Sequence, residues 1–224
     1  MFDSKATSRD IFDTSAKGLV RSVVDGYNGT VFAYGQTAAG KTHTMLGSKG
    51  SPGVLPLAVN EIMNCISQAP HRAFLIRCSY IEIYKETITD LLSKKTLEVH
   101  ESKAKGIHVD AQENIISNAD EIMACLATGE EHRHTGRTGM NERSSRSHTI
   151  FRIIVESRAI SDDSSSAPAA SGGNVTLGTL NLVDLAGSES VRTTNATGER
   201  LVEAKMINTS LLTLSRVIKE LAES

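Results

Sequence analysis

The sequence predicts a three-layer α/β domain, with helices on both faces of one central sheet. Three observations carry that expectation. Stretches with helical periodicity alternate along the chain with short apolar runs rich in β-formers. One such run, residues 30–34, leads into Gly35-Gln36-Thr37-Ala38-Ala39-Gly40-Lys41-Thr42, which fits G-x-x-x-x-G-K-[ST], a phosphate-binding loop. Another, residues 180–184, has the pattern of a buried strand, ends in Asp184 and is followed by Leu185-Ala186-Gly187.

The elements follow in order. Ser8 to about Asp25 reads as a helix with Ser8 as N-cap and Ile11, Phe12, Ala16, Leu19, Val20 and Val23 on one face. The strand at 30–34 and the glycine loop come next, and a helix opens near His43. A further helix starts near Pro56, a good first-turn residue. Residues 74–84 form a long strand in which Phe74, Ile76, Cys78 and Tyr80 recur with period two. Asn118 and Glu121 are spaced as a capping pair, opening a helix through Ile122 and Leu126 to Gly129. Residues 150–155 and 176–184 are strands. Between them, residues 161–174 are low in complexity, rich in serine and glycine, and read as a mobile surface loop. A last helix runs from about Glu203 to the end.

The loop at 35–42 names a ligand class. Inward-pointing amides of such a loop cradle an anion, Lys41 adds charge for outer phosphates, and the Thr42 hydroxyl suits Mg²⁺. An acid at the end of a buried strand, here Asp184, is where such a protein keeps the carboxylate that orders Mg²⁺. The glycine after it can reach the γ-phosphate with its N–H. Asn141-Glu142-Arg143-Ser144-Ser145-Arg146-Ser147-His148 places paired hydroxyls beside an arginine. Taken alone, this segment reads more readily as an ordinary polar loop than as a cover over Mg²⁺ and phosphate.

Together, G-Q-T-x-x-G-K-T-H-T-M, N-x-x-S-S-R-S-H and D-L-A-G-S-E occur in that order. This resembles the kinesin motor domain, with these motifs as phosphate loop, switch I and switch II. Gly26-Tyr27-Asn28-Gly29-Thr30, Tyr80-Ile81-Glu82-Ile83-Tyr84 with Asp90-Leu91-Leu92, and Ile207-Asn208-Thr209-Ser210-Leu211 are similar to further signatures of that family. The flavour is that of an amino-terminal-motor kinesin near the centromere-associated group.

The resemblance implies a P-loop NTPase fold with a mixed sheet, an ATP hydrolase with Mg²⁺, and microtubules as partner in the cytoplasm and cytoskeleton. It places nucleotide on Gly35, Gln36, Thr37, Ala38, Ala39, Gly40, Lys41, Thr42 and His43. It gives Mg²⁺ to Thr42, Ser145 and, through water, Asp184. It gives the catalytic parts to Ser145, Arg146, Gly187 and Glu189, with Arg146 and Glu189 forming a salt bridge between the switches. Ala38 stands where the family often has glycine, which matters only if its φ is positive. The family's first strands and its elements after switch II are expected to extend beyond both ends of this sequence. The chain therefore reads as one partial motor domain over residues 1–224. A nucleotide- and microtubule-binding fragment without turnover is the alternative reading.

Composition agrees without leading there. The chain has 224 residues, 39% hydrophobic and 22% charged, ordinary globular material for one domain or two small ones. Residues 1–5 are no signal peptide, and no apolar run is long enough to cross a bilayer. Neither membrane nor nucleic acid is an expected partner. Cys65, Cys78 and Cys125 are odd in number and widely spaced, which suits buried thiols in a reducing compartment and not a disulfide frame or zinc site. His132 and His134 read as solvated. With net charge −2, attraction to acidic tubulin needs a local patch. Candidates are residues 100–105, with His100, Lys103 and Lys105, and the segment carrying Arg192, Arg200, Lys205 and Lys219. The other reading of each is a solvated face. No N-K-x-D supports guanine selectivity.

Overall fold

Thr7, rather than Ser8, caps the first helix. Its Oγ1 accepts from the Asp10 N–H at 3.2 Å, and the Asp10 carboxylate accepts from the Thr7 N–H at 2.8 Å. The reciprocal bonding needs an acid three residues on, which Thr7 has and Ser8 lacks. The computed structural model describes residues 2–3, 6–103, 106–135, 145–160, 175–188 and 199–223. Within them, α1 (Ser8–Ile11) passes through a π-helical turn at Phe12–Ala16 into α2 (Lys17–Val24). Phe12, Ala16 and Val20 are all buried, four residues apart. That spacing outruns the 3.6-residue α-turn, and the wider π-turn takes up the difference.

Next come β1 (Gly29–Ala33), α3 (Lys41–Leu46), the short strands β2 (Gly47–Ser48) and β3 (Ser51–Pro52), and α4 (Val54–Ser67). Pro56 lies in the first turn of α4, where its missing N–H costs nothing. β4 (Arg72–Tyr84) starts slightly earlier than its period-two pattern, and β5 (Thr87–Asp90) and β6 (Thr96–Leu97) follow. β7 (Val99–Ser102) and β8 (Gly106–Val109) form a separate hairpin, and β9 (Asn114–Ile116) returns to β4. The short strands β5 to β9 went unpredicted because they are brief and polar. What organises the region is the buried Asp90 carboxylate, which accepts from the N–H groups of Leu92 and Gln112, both at 2.8 Å.

α5 (Ala119–Thr135) begins as expected: Asn118 Oδ1 accepts from the Glu121 N–H at 2.9 Å. It does not stop at Gly129. That residue is bare because the Tyr80 ring presses on it, and a Cβ there would collide with Tyr80 Cδ1. β10 (His148–Ala159) and β11 (Thr176–Asp184) are long, and α6 spans Glu199–Glu223, starting earlier than the expected Glu203. The expectation of a mobile loop at 161–174 lies outside the described residues.

The main sheet runs β1-β11-β10-β4-β5-β6, with β9 also on β4. β1 and β11 are parallel, from Gly29 opposite Leu180 to Ala33 opposite Asp184. The other described pairs in this sheet are antiparallel. The sheet is therefore mixed, and the shared end of its parallel pair carries both the glycine loop and Asp184. One row of facing residues, Val31, Leu182, Phe151 and Tyr80, crosses the side that joins the hydrophobic core with α2, α4 and α5. On the other face Phe32, Leu75 and Leu177 are exposed. Cys65, Cys78 and Cys125 are free thiols, but of the three only Cys78 is buried, Cys65 and Cys125 being half-buried at the core's margin; burial pushes the Cys78 thiol pKa upward. Among the described residues, no helix is long and apolar enough to cross a membrane.

Candidate functional site

β1 delivers the chain to the glycine loop, and α3 takes it away at Lys41. Gly40 caps α3 with φ 87°, and Ala38 also sits at positive φ, 61°. The second value is a cost, since a Cβ in the left-handed region is disfavoured by about 1–2 kcal/mol. The backbone accepts it to turn the loop around a concave space. That cavity, about 250 Å³, is lined by Thr37, Ala38, Gly40, Lys41, Thr42, His43 and Ser145. Ser145, from the segment 141–148, lines this cavity together with the loop. Lys41 Nζ donates to the carbonyls of Gly35 at 3.0 Å and Gln36 at 2.9 Å, which hold the ammonium against the loop.

Asp184 arrives at the same place on β11. Thr42 Oγ1 donates to its Oδ2 at 2.6 Å. Its Oδ1 is buried and has no hydrogen-bond partner among the described residues. Burial raises the pKa of this carboxyl, while the Thr42 hydroxyl, Arg133 and Lys41 pull it back down. A buried acceptor without a donor, beside two hydroxyls, fits an oxygen-ligated divalent cation holding a water against Oδ1. Thr42, Ser145 and Asp184 are the residues that could hold it.

After Asp184 the chain is stitched to the loop. Ser188 N–H donates to Gly35 O at 3.0 Å, and Gly187 N–H donates to Ser145 O at 2.8 Å. A Cβ on Gly187 would collide with Thr37 Oγ1, so only glycine allows this approach. The Gly187 amide, expected to face a γ-phosphate, here binds the switch I carbonyl instead. Arg146 lies outside the cavity lining, in a neighbouring pocket of about 150 Å³ with Lys85, Glu86, His148 and Ser210. Its expected partner Glu189 lies outside the described residues. Among the polymer-contact candidates, His100 and Lys103 belong to the β7–β8 hairpin and its turn. Val99 and Ile107 stand 59% and 76% exposed on that hairpin, so it presents apolar surface with its charge. Lys105 and Arg192 lie outside the described residues.

Sequence reasoning missed the support behind Asp184. Arg133, on α5, is 2% exposed. Its guanidinium stands 3.7 Å from Glu82, 3.7 Å from Glu130 and 4.0 Å from Asp184, and it donates to Ser147 Oγ at 3.2 Å. The Tyr80 hydroxyl donates to Glu130. Nothing in the local sequence marks this arginine, which sits between two histidines. One of those is also corrected: His132 is part-buried, with its Nδ1 2.7 Å from Leu91 O, rather than solvated. Its α5 face packs toward the sheet, which the weak helical periodicity of this stretch hid.

Comparison with known proteins follows the same lines. The kinesin motor domain family model matches residues 1–224. The chain is 47% identical over 227 residues to the kinesin-like protein KIN-7L of Oryza sativa subsp. japonica, all of this chain against 34% of that protein. It is 45% identical over 228 residues to human centromere-associated protein E, again over its whole length but 8% of that protein. A fast kinesin structure superposes with TM-score 0.80 at 41% identity, covering 92% of this chain and 58% of that one. A KIF14 dimer solved with AMP-PNP on a microtubule gives TM-score 0.83 at 33% identity, covering 99% and 63%. The chain thus spans a third or less of those two curated relatives and about three-fifths of those solved chains, and its fold is that of a kinesin P-loop NTPase.

Proposed function

The chain belongs to the kinesin motor-domain family, and on that premise we propose that it hydrolyses ATP to ADP and phosphate and couples the reaction to binding of microtubules in the cytoskeleton. The observation that carries this is the hydrogen bond from Thr42, which lines the phosphate-loop cavity with Lys41, to Asp184 at the end of β11.

The loop amides of residues 35–42 and the Lys41 ammonium bind the β- and γ-phosphates, and His43 flanks the nucleotide. Thr42 and Ser145 would hold Mg²⁺, with Asp184 acting through water, and the bound ion would supply charge neutralisation to the phosphates. Gly187 N–H leaves Ser145 O for the γ-phosphate, so the switches draw together around it. Arg146 and Glu189 then pair and orient the attacking water. Catalysis of this kind needs mainly positioning and charge stabilisation, and these groups provide both. The β7–β8 hairpin, through His100, Lys103 and Lys105, and Arg192 after switch II contact the acidic polymer.

The test is steady-state ATP turnover with and without microtubules, alongside calorimetry of an ATP analogue on Lys41→Ala. Stimulated turnover, and a loss of analogue affinity by a few kcal/mol in the variant, are expected. Analogue binding with no turnover makes the chain a binding module. Unchanged affinity in Lys41→Ala refutes the phosphate-loop assignment.

A further inference from the structure

We propose that the β7–β8 hairpin carries a binding site for a divalent late transition ion, Zn²⁺ or Ni²⁺, built from the imidazoles of His100 and His108. The hairpin is a sheet of its own, and the site does not depend on the nucleotide chemistry proposed above.

The register sets the pair up. His100 and His108 stand opposite each other on the antiparallel ladder, so both side chains leave the same face. Val99, Glu101, Ile107 and Val109 take the other face. The two ring centroids are 6.0 Å apart, with the planes inclined at 45°. A histidine nitrogen sits about 2.0–2.1 Å from Zn²⁺, which puts its ring centroid about 3.2 Å from the ion and the centroids of two such rings about 5–6.4 Å apart. The observed spacing falls inside that window, so one ion can reach both rings through side-chain rotation alone.

The hydrogen on His108 is placed as a ligand needs it. Nδ1 lies 3.0 Å from Gly106 O. A carbonyl oxygen can only accept, so Nδ1 donates, and in the neutral ring Nε2 presents its lone pair. Metal-ligating histidines show this division as a rule, with one nitrogen on the ion and the other donating to a carbonyl or carboxylate. Asp110 Oδ1 stands 3.9 Å from the same Nε2. A lone pair and a carboxylate at that separation both favour positive charge between them. His100 makes no hydrogen bond to another described residue, which leaves its ring able to turn.

Among the described residues no three metal-binding side chains gather at one point, so the ion takes two imidazoles and fills its shell with water. Asp110 contributes its field and not a bond. Imidazole suits Zn²⁺ and Ni²⁺, whereas Mg²⁺ keeps to oxygen, so this site and the one beside Thr42 select different ions. Residues 98–110 carry Glu98, Glu101 and Asp110 against Lys103 and Lys105, so with neutral imidazoles the segment is acidic by one charge. A bound dication reverses that sign.

The test is calorimetric titration of Ni²⁺, and separately of Zn²⁺, into the purified protein, with excess Mg²⁺ and an ATP analogue present so that oxygen sites are filled. The parent is compared with His100→Gln, His108→Gln and the double variant. The hairpin pairs with no other described strand, so all three variants are expected to keep the parent's thermal melt. One ion per chain is expected in the parent, bound at least about tenfold more weakly after either single substitution, since loss of an outer-shell partner alone costs that much. The double variant is expected to lose the site for both ions. A parent that binds no tighter than the double variant, or only at millimolar ion, overturns the site. An effect from one histidine but not the other overturns the shared ion.

Discussion

Replacing Arg133 with methionine removes a buried cation from among three carboxylates. Methionine keeps most of the volume, so the loss is electrostatic. Glu82 is 1% exposed, and it stands 3.7 Å from the guanidinium. Arg133→Met takes this cation away from the buried Glu82, and breaking a buried pair from one side costs about 3–5 kcal/mol. A domain's whole stability is about 5–15 kcal/mol, so the variant should lie near its folding threshold. At roughly 2–4 °C per kcal/mol for a chain of this size, Tm should fall by roughly 6–20 °C. Glu82→Gln in the Arg133→Met background removes the buried carboxylate charge that Arg133 faced and should return part of the loss. Circular dichroism melts of the parent, both single variants and the double variant measure the coupling. A fall below 2 °C in Arg133→Met, or a double variant no better than the worse single one, refutes the account of Arg133 as the counter-charge of this cluster.

Three other outcomes are expected. Ala38→Val should destabilise the fold by at least about 1 kcal/mol in urea titration, because a β-branched residue at φ 61° is worse placed than alanine, while Ala38→Gly should not destabilise it. Asp184→Asn should raise stability at neutral pH while abolishing Mg²⁺-dependent nucleotide binding. The folded carboxyl has a raised pKa, so its protonated form is favoured by folding and stability falls as pH rises through the folded pKa. The gain should vanish near pH 3, where both states of the parent are protonated, and thermal melts across pH check it. His148 titrates in the opposite sense: its folded pKa is lowered, so its contribution is full above about pH 6.5 and is lost as pH falls below that value. His148→Gln should therefore flatten the stability profile between neutral pH and about pH 5, and an unchanged slope there counts against the neutral ring.

What was legible in the sequence was what is local. The glycine loop, the acid ending β11 and the capping pair at Asn118 and Glu121 each act over a few residues, and spacing alone announces them. The long strands were legible too, since burial imposes period two on β10 and β11. What escaped was anything decided across the fold. Arg133 looks like an ordinary basic residue near a helix end until β4 and β11 bring Glu82 and Asp184 to it. Gly129 looks like a helix stop until Tyr80 arrives from another strand. The hairpin strands escaped because one buried carboxylate, Asp90, organises a region with no apolar period to read.

The parallel register of β1 and β11 also sets where this chain tolerates a change of length. Ala33 faces Asp184, and the glycine loop leaves from one strand as that acid ends the other. Successive side chains alternate faces, so one residue inserted into β11 ahead of Asp184 turns that carboxylate to the far side of the sheet, away from Thr42. No side-chain repacking can undo such a slip. The antiparallel hairpin of β7 and β8 carries no such constraint, since an insertion at its turn shifts nothing that faces the cavity. An insertion in the β7–β8 turn is therefore expected to be tolerated, and one in β1 or β11 to separate the loop from the acid.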